Sequence, residues 1–288
     1  MFSKGKPTAP DFYPLHQSYW DDFFSPENSE RRLRLLSFNI QVGINTHSYR
    51  HYLTRSWQHF LPHGNRLQNL DRISELLGHF DIVALQEADG GSIRSGHVNQ
   101  VEYLADRAGF PHWYQQLNRN FGRFAQHSNG LLSRLKPLDI QEHKLPALIP
   151  GRGAMFAEFG SASNPLLLVI MHLSLSKRAQ TRQLNYVKEQ IADYKHVVLM
   201  GDMNNHLEQM LNDSPLADTD LRPANTDDVV LNTFPSWRPK RAIDHILVSS
   251  SLHINRVGVL DYPVSDHLPI AMDIALPDDF PCSELTRA

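Results

Sequence analysis

The sequence predicts an α/β protein built on mixed β-sheets. Short apolar runs alternate with stretches of helical period through the first part of the chain, and strand-like runs dominate the rest. A third observation concerns where those runs end. Six of them have at or beside one end Asn39, Glu87, His172, Asp202, Asp244 or Asp266, residue types that serve metal and phosphate chemistry.

The chain has 288 residues, 41% of them hydrophobic, which suffices for a sizeable core. No repeat and no Gly/Ser-rich linker divides it, so one domain is expected over residues 31–276. Residues 1–30 carry four prolines and scattered aromatics without a period, which predicts an irregular arm; residues 277–288 form a tail.

The first predicted strand is Leu33 to Ile40, with polar Asn39 near its end. The stretch Thr46 to Asn65 holds His47, His51, His59 and His63, two pairs at i, i+4 spacing. No Glu follows in the zinc-protease arrangement, so a structural or substrate-contacting role is expected there, with the interleaved aromatics and arginines as a substrate flap. Leu67, Leu70, Ile73, Leu76 and Leu77 follow a helical period that stops at Gly78. A strand over Asp81 to Gln86 leads into Glu87, and a helix marked by Val98, Val101, Leu104, Ala105 and Ala108 closes at Gly109. Trp113 to Leu117 and Asn129 to Ser133 read as strands, separated by a polar loop with Arg119, Arg123 and His127.

Pro165 to Leu173 is a strand ending at His172, and Lys177 to Tyr194 is an amphipathic helix through Leu184, Val187 and Ile191. It feeds the buried strand Val197 to Met200, whose end delivers Gly201-Asp202-Met203-Asn204-Asn205-His206. On a continuing strand, Asp202 and Asn204 would point to the same side. Thr233 to Pro239 reads as a loop; Ala242 to Ser249, His253 to Leu260 and Leu268 to Leu276 read as strands.

Charge and cysteine use narrow the functional classes. A formal net charge of −3 supplies no global field for nucleic acid or anionic membrane. Cys282 is the sole cysteine, which excludes an internal disulfide and any zinc site built on several cysteines. With no apolar signal core at the N-terminus and no run long enough to span a membrane, a cytoplasmic location is expected. No Gly-rich phosphate loop or dinucleotide fingerprint competes for the site.

Together, Ser37-Phe38-Asn39, Leu85-Gln86-Glu87, Met171-His172-Leu173, Gly201-Asp202-Met203-Asn204, Ile243-Asp244-His245-Ile246 and Ser265-Asp266-His267-Leu268-Pro269 resemble the endonuclease/exonuclease/phosphatase superfamily, the DNase I-like enzymes. The motifs stand in that family's order over about residues 33–276. The resemblance implies a four-layer sandwich: two mixed β-sheets packed face to face, flanked by helices. It also implies a phosphodiester hydrolase that uses Mg²⁺, with Mn²⁺ as a substitute.

By the same resemblance, Asn39, Glu87 and Asp266 belong to the metal shell. Glu87 suits Mg²⁺, which prefers hard oxygen ligands. Asp202 is the candidate to orient or deprotonate the attacking water, and Asn204 to hold a phosphoryl oxygen. His172, if protonated, would stabilise charge on the phosphate. His267 would lie near the scissile phosphate with Asp244 on its other ring nitrogen, and either His267 or Asp202 could be the general base. Asn129 is a candidate phosphate contact, and His245 is expected to face away from Asp244. Arg238, with Lys240 and Arg241, could grip backbone phosphates while Trp237 stacks on a base. Nucleic acid is the first substrate reading, a phospholipid head group or small phosphoester the second, and an inactive binding scaffold the third.

Overall fold

The computed structural model describes residues 12–13, 31–44, 66–120, 122–148, 150–225, 230–276 and 280. The histidine-rich stretch 46–65, most of the arm and most of the tail lie outside the described residues. In chain order the elements are β1 (Phe12–Tyr13), β2 (Arg32–Asn39), α1 (Arg66–Leu77), β3 (Ile82–Ala88), α2 (Gln100–Ala108), β4 (His112–Asn120), β5 (Gln126–Ser133), β6 (Asp139–Lys144) and β7 (Gly153–Ser161). They continue with β8 (Asn164–His172), α3 (Lys177–Ile191), β9 (His196–Asp202), α4 (Leu207–Asn212), β10 (Leu221–Pro223), β11 (Asp244–Ser249), β12 (His253–Leu260) and β13 (Ile270–Ala275).

The strands form two sheets, ordered β1-β12-β13-β2-β3-β5-β4 and β10-β11-β9-β8-β7-β6. Each sheet contains one parallel pair at its centre, β2 with β3 and β8 with β9. A parallel pair needs a crossover, and α1 and α3 lie within the two crossovers. The other pairings are antiparallel, so both sheets are mixed, as the sequence predicts.

The central strands are apolar on both faces because both faces are covered. Along β2, Leu33 and Leu35 enter the core between the sheets, while Leu36 and Phe38 pack beneath α1 and α2 with Leu70, Ile73, Val101 and Leu104. Along β9, Val198 and Met200 face the inter-sheet core, whereas Val197 and Leu199 pack against Leu184, Val187 and Ile191 of α3. The layers are therefore helix, sheet, sheet, helix.

Helix α2 shows how local sequence sets its bounds. The Asn99 side chain accepts from the Val101 and Glu102 N–H groups, and Gly109 takes a left-handed φ of 71° just past the end. Five elements were not expected from the sequence: β1, β6, β7, α4 and β10. β6 is a largely exposed polar edge strand without alternation, and β7 (Gly-Ala-Met-Phe-Ala-Glu-Phe-Gly-Ser) mixes glycines with its apolar residues. Within the arm read as irregular, Phe12 and Tyr13 pair with Leu260 and Val259. No described helix is long and apolar enough to cross a membrane.

Candidate active site

The two parallel pairs end on the same side of the sandwich, and their ends carry the site. In the second sheet, Asp202 is the direct cross-strand partner of His172 on one side and of Asp244 on the other. In the first sheet, Asn39 pairs with Gln86, one residue before Glu87. The loop ahead of β13 adds Asp266 and His267, tied to β2 by a 2.7 Å hydrogen bond from Ser265 Oγ to the Asn39 carbonyl.

Asp202 is the hub, and it is buried. Its Oδ2 accepts from Asn39 Nδ2 at 3.1 Å and lies 3.4 Å from His172 Nε2 and 3.9 Å from His267 Nε2. The Asn204 N–H donates to its Oδ1 at 2.9 Å. Asp244 Oδ2 receives both the Thr233 hydroxyl and His267 Nδ1, the latter at 2.8 Å. The Phe234 ring packs against His267 with centroids 5.0 Å apart and the ring planes tilted by 53°.

Strand β9 stops at Asp202, which corrects the expectation that Asp202 and Asn204 share a face of a continuing strand. Gly201 takes φ 146°, where a Cβ would overlap the Met171 carbonyl oxygen, and Asn204 is left-handed at φ 49°. Asn204 Nδ2 consequently donates to Leu173 O at 3.0 Å. His245 points away from Asp244, as expected for neighbours on a strand, and its Nε2 bonds the Asn205 carbonyl at 2.7 Å. It thereby anchors the turn that carries Asn204.

Glu87 sits in a break of register between Leu85 and Ala88, with its backbone left-handed at φ 56°. Bulges re-aim side chains, and a left-handed non-glycine residue costs on the order of 1–3 kcal/mol, so this geometry is held by its surroundings. Glu87 Oε1 lies 3.9 Å from His172 Nε2, and its side chain remains 30% exposed.

Burial, then the Asp244 charge, lifts the Asp202 carboxyl to about 7 against the pull of His267. Burial, with Glu87 and Asp244 nearby, lifts Asp266 to about 6 although His267 opposes it. For His267 burial favours the neutral ring, but Asp244, their hydrogen bond, Asp202 and Asp266 outweigh it and hold the imidazole well above its ordinary value. His172 goes the other way: burial, then Arg152, His267 and His127, pushes it well below. A protonated His172 is therefore not what this environment favours; the cation here is His267.

Asp202, Asp244 and His267 bring ligand atoms within 4.8 Å of one another, a grouping that could hold a metal ion. Both Asp244 Oδ2 and His267 Nδ1 already bond within the protein, however, and a protonated imidazole does not ligate. Glu87 and Asp266 instead offer hard carboxylate oxygens, and the Glu87 charge contributes to the raised proton affinity of Asp266. Asn39 Oδ1 accepts from the Gln41 N–H at 3.1 Å and keeps a lone pair. That donor set fits a hard divalent ion better.

A cleft of about 610 Å³ opens beside the centre, walled in part by Glu87, His172, Asn129, His127, Arg119 and Arg152. Asp202, Asp244 and His267 do not line it; His172 and Glu87 form the join. Asn129 is fully buried, and its Nδ2 donates to Gly153 O at 3.1 Å and Gln116 Oε1 at 3.4 Å. Its Oδ1 has no hydrogen-bond partner. Trp237 and Arg238 are not on the wall of this cleft. They occupy the turn after Phe234, anchored by the Ser236 N–H to Asp266 O at 2.8 Å, with Trp237 half-buried and Arg238 exposed.

Sequence reasoning passed over Arg152, which burial leaves with a lowered pKa near Glu87 and Asp202, and Thr233, which donates to Asp244. It noted His127 only as a loop residue. Burial, then Arg94, depresses that imidazole to about 4. Arg94 can only donate, so its 3.2 Å contact to His127 Nε2 places the ring proton on Nδ1. No residue pattern marks these groups; only the meeting of distant loops does.

The sequence model described as "Endonuclease/Exonuclease/phosphatase family" matches residues 36–267. No curated protein matches the chain. Among solved structures, an endonuclease/exonuclease/phosphatase from Beutenbergia cavernae DSM 12333 superposes with a TM-score of 0.66 at 19% identity, over 85% of this chain and 72% of that one. The mannosyl-6-phosphatase of Bacteroides thetaiotaomicron VPI-5482 gives 0.62 at 18% identity, over 85% and 100%. TDP2 of D. rerio, complexed with single-strand DNA product, gives 0.57 at 16% identity, over 84% and 98%. At these identities the likeness concerns the fold.

Proposed function

The chain belongs to the endonuclease/exonuclease/phosphatase family, a family of phosphoric ester hydrolases, and on that premise we propose that it is a Mg²⁺-dependent phosphodiesterase of nuclease type. The observation that carries the reading is the alignment of His172, Asp202 and Asp244 on adjacent strand ends, with His267 bonded to Asp244 and reaching toward Asp202.

Two titratable groups, Asp202 and His267, carry the acid–base roles in this reading, each with its proton affinity raised by its surroundings. Asp202, at about 7, is partly ionised at neutral pH and takes the proton from the attacking water as its oxygen bonds to phosphorus. The His267 imidazolium, its Nδ1 held by Asp244, directs Nε2–H at the phosphoryl oxygens that gain charge as the ester oxygen leaves. Asn204 has one amide hydrogen on Leu173 O and a second for a phosphoryl oxygen. His172, neutral, helps position Asp202.

Glu87, Asp266 and Asn39 would hold the metal ion, Mg²⁺ or in its place Mn²⁺. When bound, the ion would supply charge stabilisation at the phosphate. Asn129 borders the phosphate site, and Trp237 and Arg238, on the turn tied to Asp266, would grip a nucleic-acid strand.

A second reading, a small phosphoester or lipid head group as substrate, draws on the bounded cleft, whose rim carries the exposed Leu148 and Leu175. The deciding experiment is Mg²⁺-dependent nicking of supercoiled plasmid by wild type and Asp202→Asn, with EDTA as blank. Nicking by wild type alone supports the nuclease reading. Turnover of bis(p-nitrophenyl) phosphate without nicking moves the substrate to small esters. Folded protein inert toward both diesters at saturating Mg²⁺ would sink the phosphodiesterase reading.

A further inference from the structure

We propose that the arginine-walled end of the cleft is a subsite for a second phosphate group on the substrate. The enzyme would then favour phosphoesters that carry another phosphate a short distance from the scissile one. The inference rests on the functional reading above for the position of the scissile phosphate.

Arginines from three segments line this one cleft: Arg119 of β4, Arg152 ahead of β7, and the exposed Arg178 and Arg182 on the first turns of α3. Arg178 and Arg182 stand four apart and so share a helix face. Among the described residues, the only carboxylate on the cleft wall is Glu87, which faces the catalytic centre. Among the described residues, no carboxylate lies within ion-pair distance of Arg152, Arg178 or Arg182, whereas Arg32, Arg34, Arg94 and Arg107 each have one. Like charges that outnumber the carboxylate beside them raise the energy of the cleft and favour an anion in it.

Arginine suits phosphate in particular, because its planar fork donates two parallel hydrogen bonds. The backbone has been shaped to bring one of these groups in. Gly151 is at φ 128°, and a Cβ there would come within 3.0 Å of Arg119 Cδ. The missing side chain lets the Arg119 stem lie against the loop that carries Arg152.

The subsite is separate from the reacting centre. Asp202, Asp244 and His267 lie outside the cleft, which meets them only across His172 and Glu87. An anion held by Arg178 and Arg182 on α3 is therefore distinct from the scissile group. The volume, about 610 Å³, lies in the range of small-ligand sites, roughly 300–1,000 Å³. It suits a compact molecule bearing two phosphates.

The test uses two esters with one scissile bond: the p-nitrophenyl ester of thymidine 5′-phosphate, with and without a 3′-phosphate, assayed with Mg²⁺ and chromatographic detection of products. Wild type should favour the 3′-phosphorylated ester in kcat/KM by roughly tenfold or more, chiefly through KM, as expected for charge-assisted hydrogen bonds. In Arg178→Gln/Arg182→Gln the ratio should fall toward one. A wild-type ratio of one or below, or an unaltered ratio in the folded double variant, overturns the proposal.

If neither ester is hydrolysed, the functional reading is what has failed, and calorimetric titration of pyrophosphate in EDTA judges the subsite by itself. Binding to wild type that weakens roughly tenfold or more in the double variant upholds the subsite. Absent binding, or equal binding to both proteins, overturns it.

Discussion

Asp202 and Asp244 stand directly opposite each other across the antiparallel pair β9–β11, and His267 bonds the second while approaching the first. Two buried carboxylates in that register repel unless a proton or a cation lies between them. The protein supplies both: a raised carboxyl at Asp202 and an imidazolium at His267.

Asp202→Asn keeps the shape and the Asn39 contact but removes the proton acceptor. Turnover of a phosphodiester should fall by roughly 10²–10⁴, the usual worth of a general base. Thermal unfolding of the variant should remain cooperative, and ordinary activity in it would remove Asp202 from the chemistry.

The same variant tests the charge state of the site in EDTA. A carboxyl raised from 3.8 to about 7 contributes stability that is fully present below 3.8 and lost as pH rises through about 7. Asn does not titrate, so the Tm of Asp202→Asn should gain on that of wild type as pH rises from 4 to 8. Parallel Tm–pH curves would mean that Asp202 is an ordinary acid.

Glu87→Ala should raise the Mg²⁺ concentration for half-maximal activity by roughly 100-fold or more, beyond the 10–100-fold typical of losing a metal ligand's supporting partner. A Mg²⁺ titration of initial rates measures it. An unshifted titration would assign the ion to other residues.

Gly201→Ala should destabilise by about 3 kcal/mol or more, at the upper end for single substitutions, because the new Cβ meets the Met171 carbonyl and φ 146° disfavours any side chain. Chemical denaturation gives the number. A loss under about 1 kcal/mol would show that β8 and β9 can separate without much cost.

Arg94→Met should cost roughly 3–5 kcal/mol, since it strands the buried Asp89 carboxylate. Arg94 and Asp89 are 2% and 0% exposed and 2.7 Å apart. Asp89→Asn/Arg94→Met should cost less than the sum of its parts. Strict additivity by denaturant titration would argue against the coupling.

How much of this was legible in the sequence depended on burial. β2, β3, β8 and β9 stand out as apolar runs because each is covered on both faces, and the polar residue that ends each run is conspicuous for the same reason. β6, an edge strand with mostly exposed side chains, lacks that contrast. Arg152, His127 and Thr233 could not be placed because their roles depend on which loops meet. The reversal at Asn204 followed from a backbone turn that residue spacing does not encode.

β13 lies between β12 and β2 although it is the last described strand in the chain, and Asp266 and His267 immediately precede it. During vectorial synthesis the first sheet therefore stays open until this strand has cleared the ribosome. A nascent chain that already displays Glu87, His172 and Asp202 still has no imidazolium to set against them. The part of the site that holds Asp266 and His267 is therefore the last to join the strand ends that carry Glu87, His172 and Asp202.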